Sequence, residues 1–246
     1  MIVRSLLDLV FPLRCAGCGG GTWPFCPACW EALAPITPPT CARCGRPWLE
    51  PVGRCRDCPP PALATARAPF LYEGPVRSAL YRLKFSGWSA VAEALGTAMA
   101  AVDDSGAVAV TWVPLGRRRR TERGYDQARG LARAVGSRLG LPVLPLLRRV
   151  ADTDPQARRT GRDRRRAMRG AFEAVARPPP GPLLLVDDVL TTGATAAECA
   201  GVLRAAGARS VALLTAARAV AGPVPARCYA RADSRPGLWL PGDDLR

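Results

Sequence analysis

The sequence predicts an α/β protein: a parallel sheet flanked by helices, preceded by a small N-terminal zinc-ribbon module. Three observations carry this reading. Apolar runs of strand length alternate with stretches of helical periodicity from Val76 to Ala216. One of those runs, Leu183 to Val186, ends in two adjacent carboxylates and passes through a loop of small residues into a helix. Eight of the ten cysteines fall in four C-x₂-C pairs within the first 58 residues.

The opening stretch, MIVRSLLDLVFPLR, is short and amphipathic. It has no small-residue cleavage site and is too short to span a bilayer, so neither a leader nor a transmembrane segment is expected. That points to the cytoplasm, where thiols stay reduced and paired knuckles read as zinc sites; a disulfide framework is the alternative. The economical partition is sequential. Cys15, Cys18, Cys26 and Cys29 would hold one Zn²⁺, and Cys41, Cys44, Cys55 and Cys58 a second, both closed structural tetrahedra. Gly19 and Gly45 follow the first and third pairs, where a knuckle needs positive φ. Cys26 and Cys29 open a helical pattern with Trp30, Leu33 and Ala34. With few large hydrophobes, residues 1–61 would draw much of their folding energy from the metal. Cys199 and Cys228 stand apart from the pairs and are read as incidental.

Pro59 to Pro61 end the module, and a second domain is placed at residues 62–218. Val76–Phe85 and Val91–Val102 carry helical periodicity, and Val108–Leu115 reads as the first core strand. After Gly116 and Arg117–Arg120, the run Arg123-Gly-Tyr-Asp-Gln-Ala128 opens a helix that continues to about Leu139. Val143–Leu147 is a second strand. Ala151–Met168 is arginine-dense and poor in apolar residues, a loop or a solvated helix. Ser210–Ala216 is the last strand, and residues 219–246, rich in Pro, Gly and Arg, form a loosely ordered tail. This order implies right-handed crossovers. Ligands of such sheets bind beyond the strand C-termini, where Pro114, Asp187 and Asp188 would converge.

The chemistry is concentrated between Leu183 and Gly207. The strand is closed by Asp187 and Asp188, followed by Thr191, Thr192, Gly193, Ala194 and Thr195. Ala196, Cys199, Val202, Leu203 and Ala206 then mark one face of a helix that Gly207 stops. Backbone N–H groups and three hydroxyls meet where the helix dipole favours an anion, which makes the loop a phosphate cradle. The carboxylates repel phosphate; they suit sugar hydroxyls beside it, or an indirectly held Mg²⁺. Neither G-x-x-x-x-G-K-[ST] nor G-x-G-x-x-G occurs, which argues against NTPase and dinucleotide-binding classes.

Charge and composition point the same way. The formal net charge of +15 suggests an anionic partner. Eight thiolates with two Zn²⁺ would bring it to about +11. Of 35 basic residues, Lys84 is the only lysine, in a chain with no Asn or His. Where arginine serves everywhere else, a lone lysine suggests a position that needs a compact ammonium.

The 183–195 run resembles the phosphoribosyl pyrophosphate (PRPP) signature of type I phosphoribosyltransferases. Over residues 1–218 the chain is similar to the ComF family, phosphoribosyltransferase-fold proteins with an N-terminal zinc ribbon, linked in some bacteria to competence for DNA uptake. The shared features are Leu-Leu-Asp-Leu-Val-Phe-Pro, the cysteine pairs, Leu83-Lys84-Phe85, Val113-Pro114, Arg123 to Ala128, Gln156 to Phe172 and the PRPP signature. Two departures stand out: Arg-Gly-Tyr-Asp-Gln replaces the usual Arg-Gly-Phe-Asn-Gln, and Ala167 stands where the family has Asn.

The resemblance implies PRPP with Mg²⁺ as ligand. Asp187 and Asp188 would face the ribose hydroxyls, and Thr191 to Thr195 would wrap the 5′-phosphate. Pro114, Arg117 and Lys84 would complete the site, with Arg158 to Arg166 as further cations for the pyrophosphate. It leaves the acceptor, the catalytic residues and the oligomeric state unnamed. Two other readings compete: a PRPP sensor without turnover, and a factor that binds single-stranded DNA alongside the uptake machinery. In the latter, Arg118, Arg119, Arg120, Arg164 and Arg165 would contact phosphates, with Trp23, Trp30 and Trp48 as stacking platforms or, more simply, as packing around the zinc sites.

Overall fold

The structure is a computed structural model, and it describes residues 14–86, 89–116, 121, 124–150 and 170–222. Four long-range parallel pairings build the main sheet, in the order β1-β7-β6-β3 with β2 also on β7. Here β1 is Ala66–Arg67, β2 Phe70–Leu71, β3 Ala109–Trp112, β6 Pro182–Leu190 and β7 Ser210–Arg218. Strands β1 and β2 run along the same edge of β7, opposite Leu213–Leu214 and Ala217–Arg218 respectively. Pro69 lies between them and has no N–H to give the ladder, which splits one edge strand into two short pieces.

The helices are α1 (Pro27–Glu31), α2 (Gly74–Ser86), α3 (Ser89–Ala100), α4 (Gln127–Leu139) and α5 (Ala194–Ala205). Helix α4 is set by its ends. Asp126 accepts the Arg129 N–H at 3.2 Å as N-cap, and Gly140, at φ 66°, closes the last turn. An Asn, the residue at this position in the family the sequence resembles, would cap in the same way.

Strand β6 divides the core. Leu184 and Val186 point into one cluster with Val76, Leu80, Leu83, Leu95, Leu131 and Val135. Leu183 and Leu185 point into the other with Leu147, Phe172, Cys199 and Leu203. Each core also takes in one cysteine group: Cys15, Phe25 and Leu33 belong to the first, and Cys41, Cys44, Cys55 and Leu63 to the second. The N-terminal module is therefore packed into both faces of the sheet domain, and its folding draws on that shared burial.

Three sequence expectations shift. Val143–Leu147 is not a sheet strand: only Val143 bridges Val110 in parallel, while β4 (Leu147–Arg149) pairs antiparallel with β5 (Phe172–Ala174). Pro142 and Pro145 lack the donors a continuous parallel strand would need. Strand β6 does not stop at the carboxylates but runs on to Leu190, held by pairing of Val189 with Ala217 and Leu190 with Arg218. The helix after Cys26 is a single turn.

Candidate functional site

The two cysteine groups form as the sequence partition has them. In each of the sets Cys15, Cys18, Cys26, Cys29 and Cys41, Cys44, Cys55, Cys58, all four Sγ atoms lie within 4.8 Å of one another. Sγ separations of 3.6 Å for Cys41–Cys58 and Cys44–Cys55, and 3.8 Å for Cys18–Cys26 and Cys55–Cys58, fit the edges of a ZnS₄ tetrahedron. With Zn–S near 2.3 Å those edges measure about 3.8 Å. Gly19 and Gly45 take φ of 85° and 65°, the conformation expected at the knuckles. The Cys26 and Cys55 N–H groups donate to the Sγ of Cys15 and Cys41, each at 3.2 Å. Burial raises the Cys15 and Cys41 thiols, but backbone N–H donors outweigh it and bring them to about 6 and about 7. Burial pushes Cys29 up to about 12. A donor set of four sulfurs with no open position fits structural zinc.

At the carboxyl edge of the sheet, β6 and α5 enclose one end of a cavity of about 320 Å³. It is lined by Lys84, Pro114, Asp187, Asp188 and Thr191 to Thr195, with Gln127, Arg149 and Thr215 completing the wall. Gly193 caps α5 at φ 70° without a side-chain hydrogen bond, and Ala194 N–H reaches Thr192 Oγ1 at 3.4 Å. The first turn of α5 therefore opens into the cavity wall, where the helix dipole favours an anion.

Two carboxylates at adjacent positions need compensation. Lys84 Nζ lies 2.6 Å from Asp188 Oδ2, with the two side chains 25% and 12% exposed. The Asp188 N–H donates to Asp187 Oδ1 at 2.8 Å. Burial, and next the Asp188 charge, hold the Asp187 carboxyl well above the usual carboxylate range; the Asp188 N–H and Lys84 oppose this.

Arg149 and Thr215 escaped the sequence reading, and Gln127 entered it only as part of the Arg123 to Ala128 motif. Gln127 is 5% exposed, and its Oε1 has no hydrogen-bond partner among the described residues, a costly state that a ligand in the cavity would relieve. A signal for Thr215 existed: it is a lone hydroxyl in an otherwise apolar strand core. It is fully buried and donates to the Ala217 carbonyl at 3.0 Å. Arg149 had no such mark; its guanidinium lies 5.4 Å from the Phe172 ring centroid.

Arg149, Pro114 and Leu115 also line a second cavity of about 900 Å³, with Trp112, Tyr125, Arg129 and Arg148. Arg129 stacks over Trp112 at 5.7 Å, and Arg148 pairs with Glu173 at 2.7 Å. A Cβ on Gly130 would collide with the Tyr125 hydroxyl.

Trp23 and Trp30 pack against the first core cluster and Trp48 against the second, with Arg46 5.6 Å from the Trp48 ring. This arrangement is the packing role. Cys199 is buried in α5, where desolvation raises its thiol well above the ordinary value. Arg117, Arg118, Arg119, Arg120, Arg158 to Arg166, Ala167, Cys228 and the 1–13 lead-in lie outside the described residues. Among the described residues no helix is long and apolar enough to cross a membrane.

Residues 6–59 match the model of the double zinc ribbon domain. The chain is 31% identical over 209 residues to the DNA utilization protein YhgH of Escherichia coli K12, covering 78% of this chain and 88% of that one. The Salmonella typhimurium protein of the same name is 30% identical over 201 residues, covering 77% and 88%. Competence protein F of Haemophilus influenzae is 35% identical over 115 residues, 45% of this chain and 50% of that one. Among solved structures, the glutamine PRPP amidotransferase from B. subtilis complexed with ADP and GMP aligns with a TM-score of 0.36 and 23% identity. That alignment covers 50% of this chain and 25% of the amidotransferase, so the chain spans about a quarter of its length.

Proposed function

Because this chain belongs to the ComF family of competence and DNA-utilization proteins, we propose that it binds PRPP at the carboxyl edge of its sheet and works as a phosphoribosyltransferase-type protein in the use of incoming DNA. The observation that carries this is the joining, in one cavity, of an acidic pair, an ammonium and a helix N-terminus whose cap has no side-chain hydrogen bond. Sugar hydroxyls and a phosphate five bonds away need those two kinds of partner side by side.

In this reading the 5′-phosphate rests on the N–H groups at Gly193 to Thr195 and on the threonine hydroxyls. Asp187 and Asp188 accept hydrogen bonds from the ribose hydroxyls, and Lys84 fixes the Asp188 carboxylate. Asp187, raised by burial, gains its charged form as the ligand brings donors to it. The pyrophosphate extends toward Pro114, Leu115 and Arg149, with Arg117 as a further cation. Mg²⁺ suits this donor set, since it takes one or two carboxylates together with ligand phosphates and would neutralise the departing pyrophosphate. Displacement at C1 by a nitrogen nucleophile then rests on positioning and charge stabilisation rather than on a protein nucleophile. The test is PRPP labelled in its pyrophosphate, incubated with protein, Mg²⁺ and a panel of bases. Release of pyrophosphate with one base identifies a transferase and its acceptor. Binding without release identifies a PRPP sensor, and absence of binding removes the reading.

A second reading, binding of single-stranded DNA, is favoured by the relatives' DNA-utilization and competence names and by the net charge of +15. Its candidate contacts are Arg118 to Arg120, which follow β3 in sequence, and Arg164 to Arg165, which lie between β4 and β5 in sequence. Both ligands are anionic, and in this reading PRPP and DNA compete for the same cations.

A further inference from the structure

We propose that the second cysteine cluster is a buttress for the phosphate loop, acting through Arg43 and Pro59, so that metal at that cluster governs the order of the loop. The inference rests on the phosphate-loop reading for its ligand consequence, but its structural claim stands on separate contacts. Pro59 directly follows the ligand Cys58, and it abuts Gly193: a Cβ at Gly193 would lie 2.7 Å from Pro59 Cβ. The glycine whose positive φ opens helix α5 is thus pressed by the first residue beyond the cluster.

Pro59 is held in turn by the knuckle. Arg43, between Cys41 and Cys44, donates to the carbonyls of Pro59, Pro60 and Leu63 at 2.9, 3.1 and 3.0 Å. Arg43 carbonyl also takes the Ala66 N–H of β1. On the other side, buried Arg218 donates to the Cys44 carbonyl at 2.7 Å. Arg218 pairs in register with Leu190, whose side chain also crowds Gly193. Two struts therefore run from one tetrahedron of sulfurs to one glycine. Among the described residues the first cluster lacks them: Gly17 and Gly19 abut Pro75 and Arg82 of helix α2 instead. Loss of metal from the second cluster frees Cys41, Cys44, Cys55 and Cys58 to move apart, and the Arg43 fork then has no fixed base. Positioning, not contact with ligand, is the role assigned to Arg43 and Pro59.

The experiment uses the full-length, zinc-loaded chain and reads amide exchange at Gly193 to Thr195, zinc content, and PRPP–Mg²⁺ affinity. Pro59→Gly should retain both metals, speed loop exchange about tenfold and weaken PRPP about tenfold, a coupling of ordinary size. Pro59→Ala, which keeps the Cβ against Gly193, should restore both. Cys58→Ser should lose one metal and reproduce the fast exchange, whereas Cys18→Ser, in the first cluster, should leave loop exchange unchanged. Should Cys58→Ser fail to fold, the Pro59 pair decides alone. Loop exchange in Pro59→Gly equal to wild type overturns the proposal, as does equal acceleration in Cys18→Ser. A wild-type chain that ignores PRPP removes the functional reading, yet the exchange measurement still decides the buttress.

Discussion

The Lys84 ammonium and the Asp188 carboxylate meet at 2.6 Å, tying helix α2 to the end of the central strand β6. The single lysine of the chain thus lands on the acidic pair at the candidate site. An ammonium is compact enough to sit against one carboxylate while leaving the other open; a guanidinium is broader and forks across both.

Lys84→Ala should leave two adjacent carboxylates without their cation. With side chains 25% and 12% exposed, the pair is neither fully buried nor solvated. A loss of about 2 kcal/mol is expected, or a melting temperature lower by about 4–8 °C in a domain of this size. Lys84→Arg should keep most of the stability and still weaken PRPP. Thermal melts with and without PRPP–Mg²⁺ separate the two effects; equal ligand shifts in Lys84→Arg and wild type would refute the need for an ammonium.

Asp187 gives a pH signature. Its folded-state carboxyl is raised by burial, so the stability tied to its proton is full below the unfolded value and is lost as pH rises through the folded one. Asp187→Asn removes that loss. The ligand-free variant should be about 1 kcal/mol more stable than wild type at neutral pH, with the two melting curves converging below about pH 4. The same substitution, alone or with Asp188→Asn, should strongly reduce the stabilisation by PRPP. A variant less stable than wild type at pH 7 would contradict the assignment.

Metal analysis under reducing conditions should give two Zn²⁺ per chain, one for each four-cysteine group. Cys26→Ser should reduce this to one and loosen the core around Phe25 and Leu33. One equivalent or none in the intact chain would sink the two-site assignment.

For DNA, the logarithm of affinity for a single strand should fall linearly with log salt, at about −0.7 per phosphate contact. Neutralising Arg118, Arg119 and Arg120 should flatten that slope with little change in melting temperature. Saturating PRPP should lower DNA affinity; DNA binding indifferent to PRPP would mean two separate anion surfaces.

Much of this architecture was legible where one physical demand dominates. Sulfur pairs followed by glycine, and an apolar strand closing on carboxylates ahead of small residues, have few other uses, and both appear in the structure where the sequence puts them. Residues 66–71 were not legible, because two-residue strands flanking Pro69 have no periodicity to detect. The extension of β6 past Asp188 was hidden for another reason: hydrogen bonding to β7 carries it, and nothing in the side chains of Val189 and Leu190 says so. Gln127 lay inside a recognised motif, but only the fold shows its amide oxygen left unpaired in a cavity wall. Arg43 and Arg218 reach backbone carbonyls far along the chain, and such partners leave no trace in spacing.

The fit of Tyr125 against Gly130 ties the residue before the N-cap of helix α4 to the first turn of that helix. The hydroxyl fills the space that any Cβ at position 130 would take. The ring carbon that bears the hydroxyl lies 2.7 Å from that Cβ position as well, so a phenylalanine at 125 with its ring in the same place would still crowd an alanine at 130. Gly130→Ala should therefore displace the Tyr125 ring, at a cost of about 1–3 kcal/mol as in other overpacked sites, and Tyr125→Phe should relieve only part of that cost.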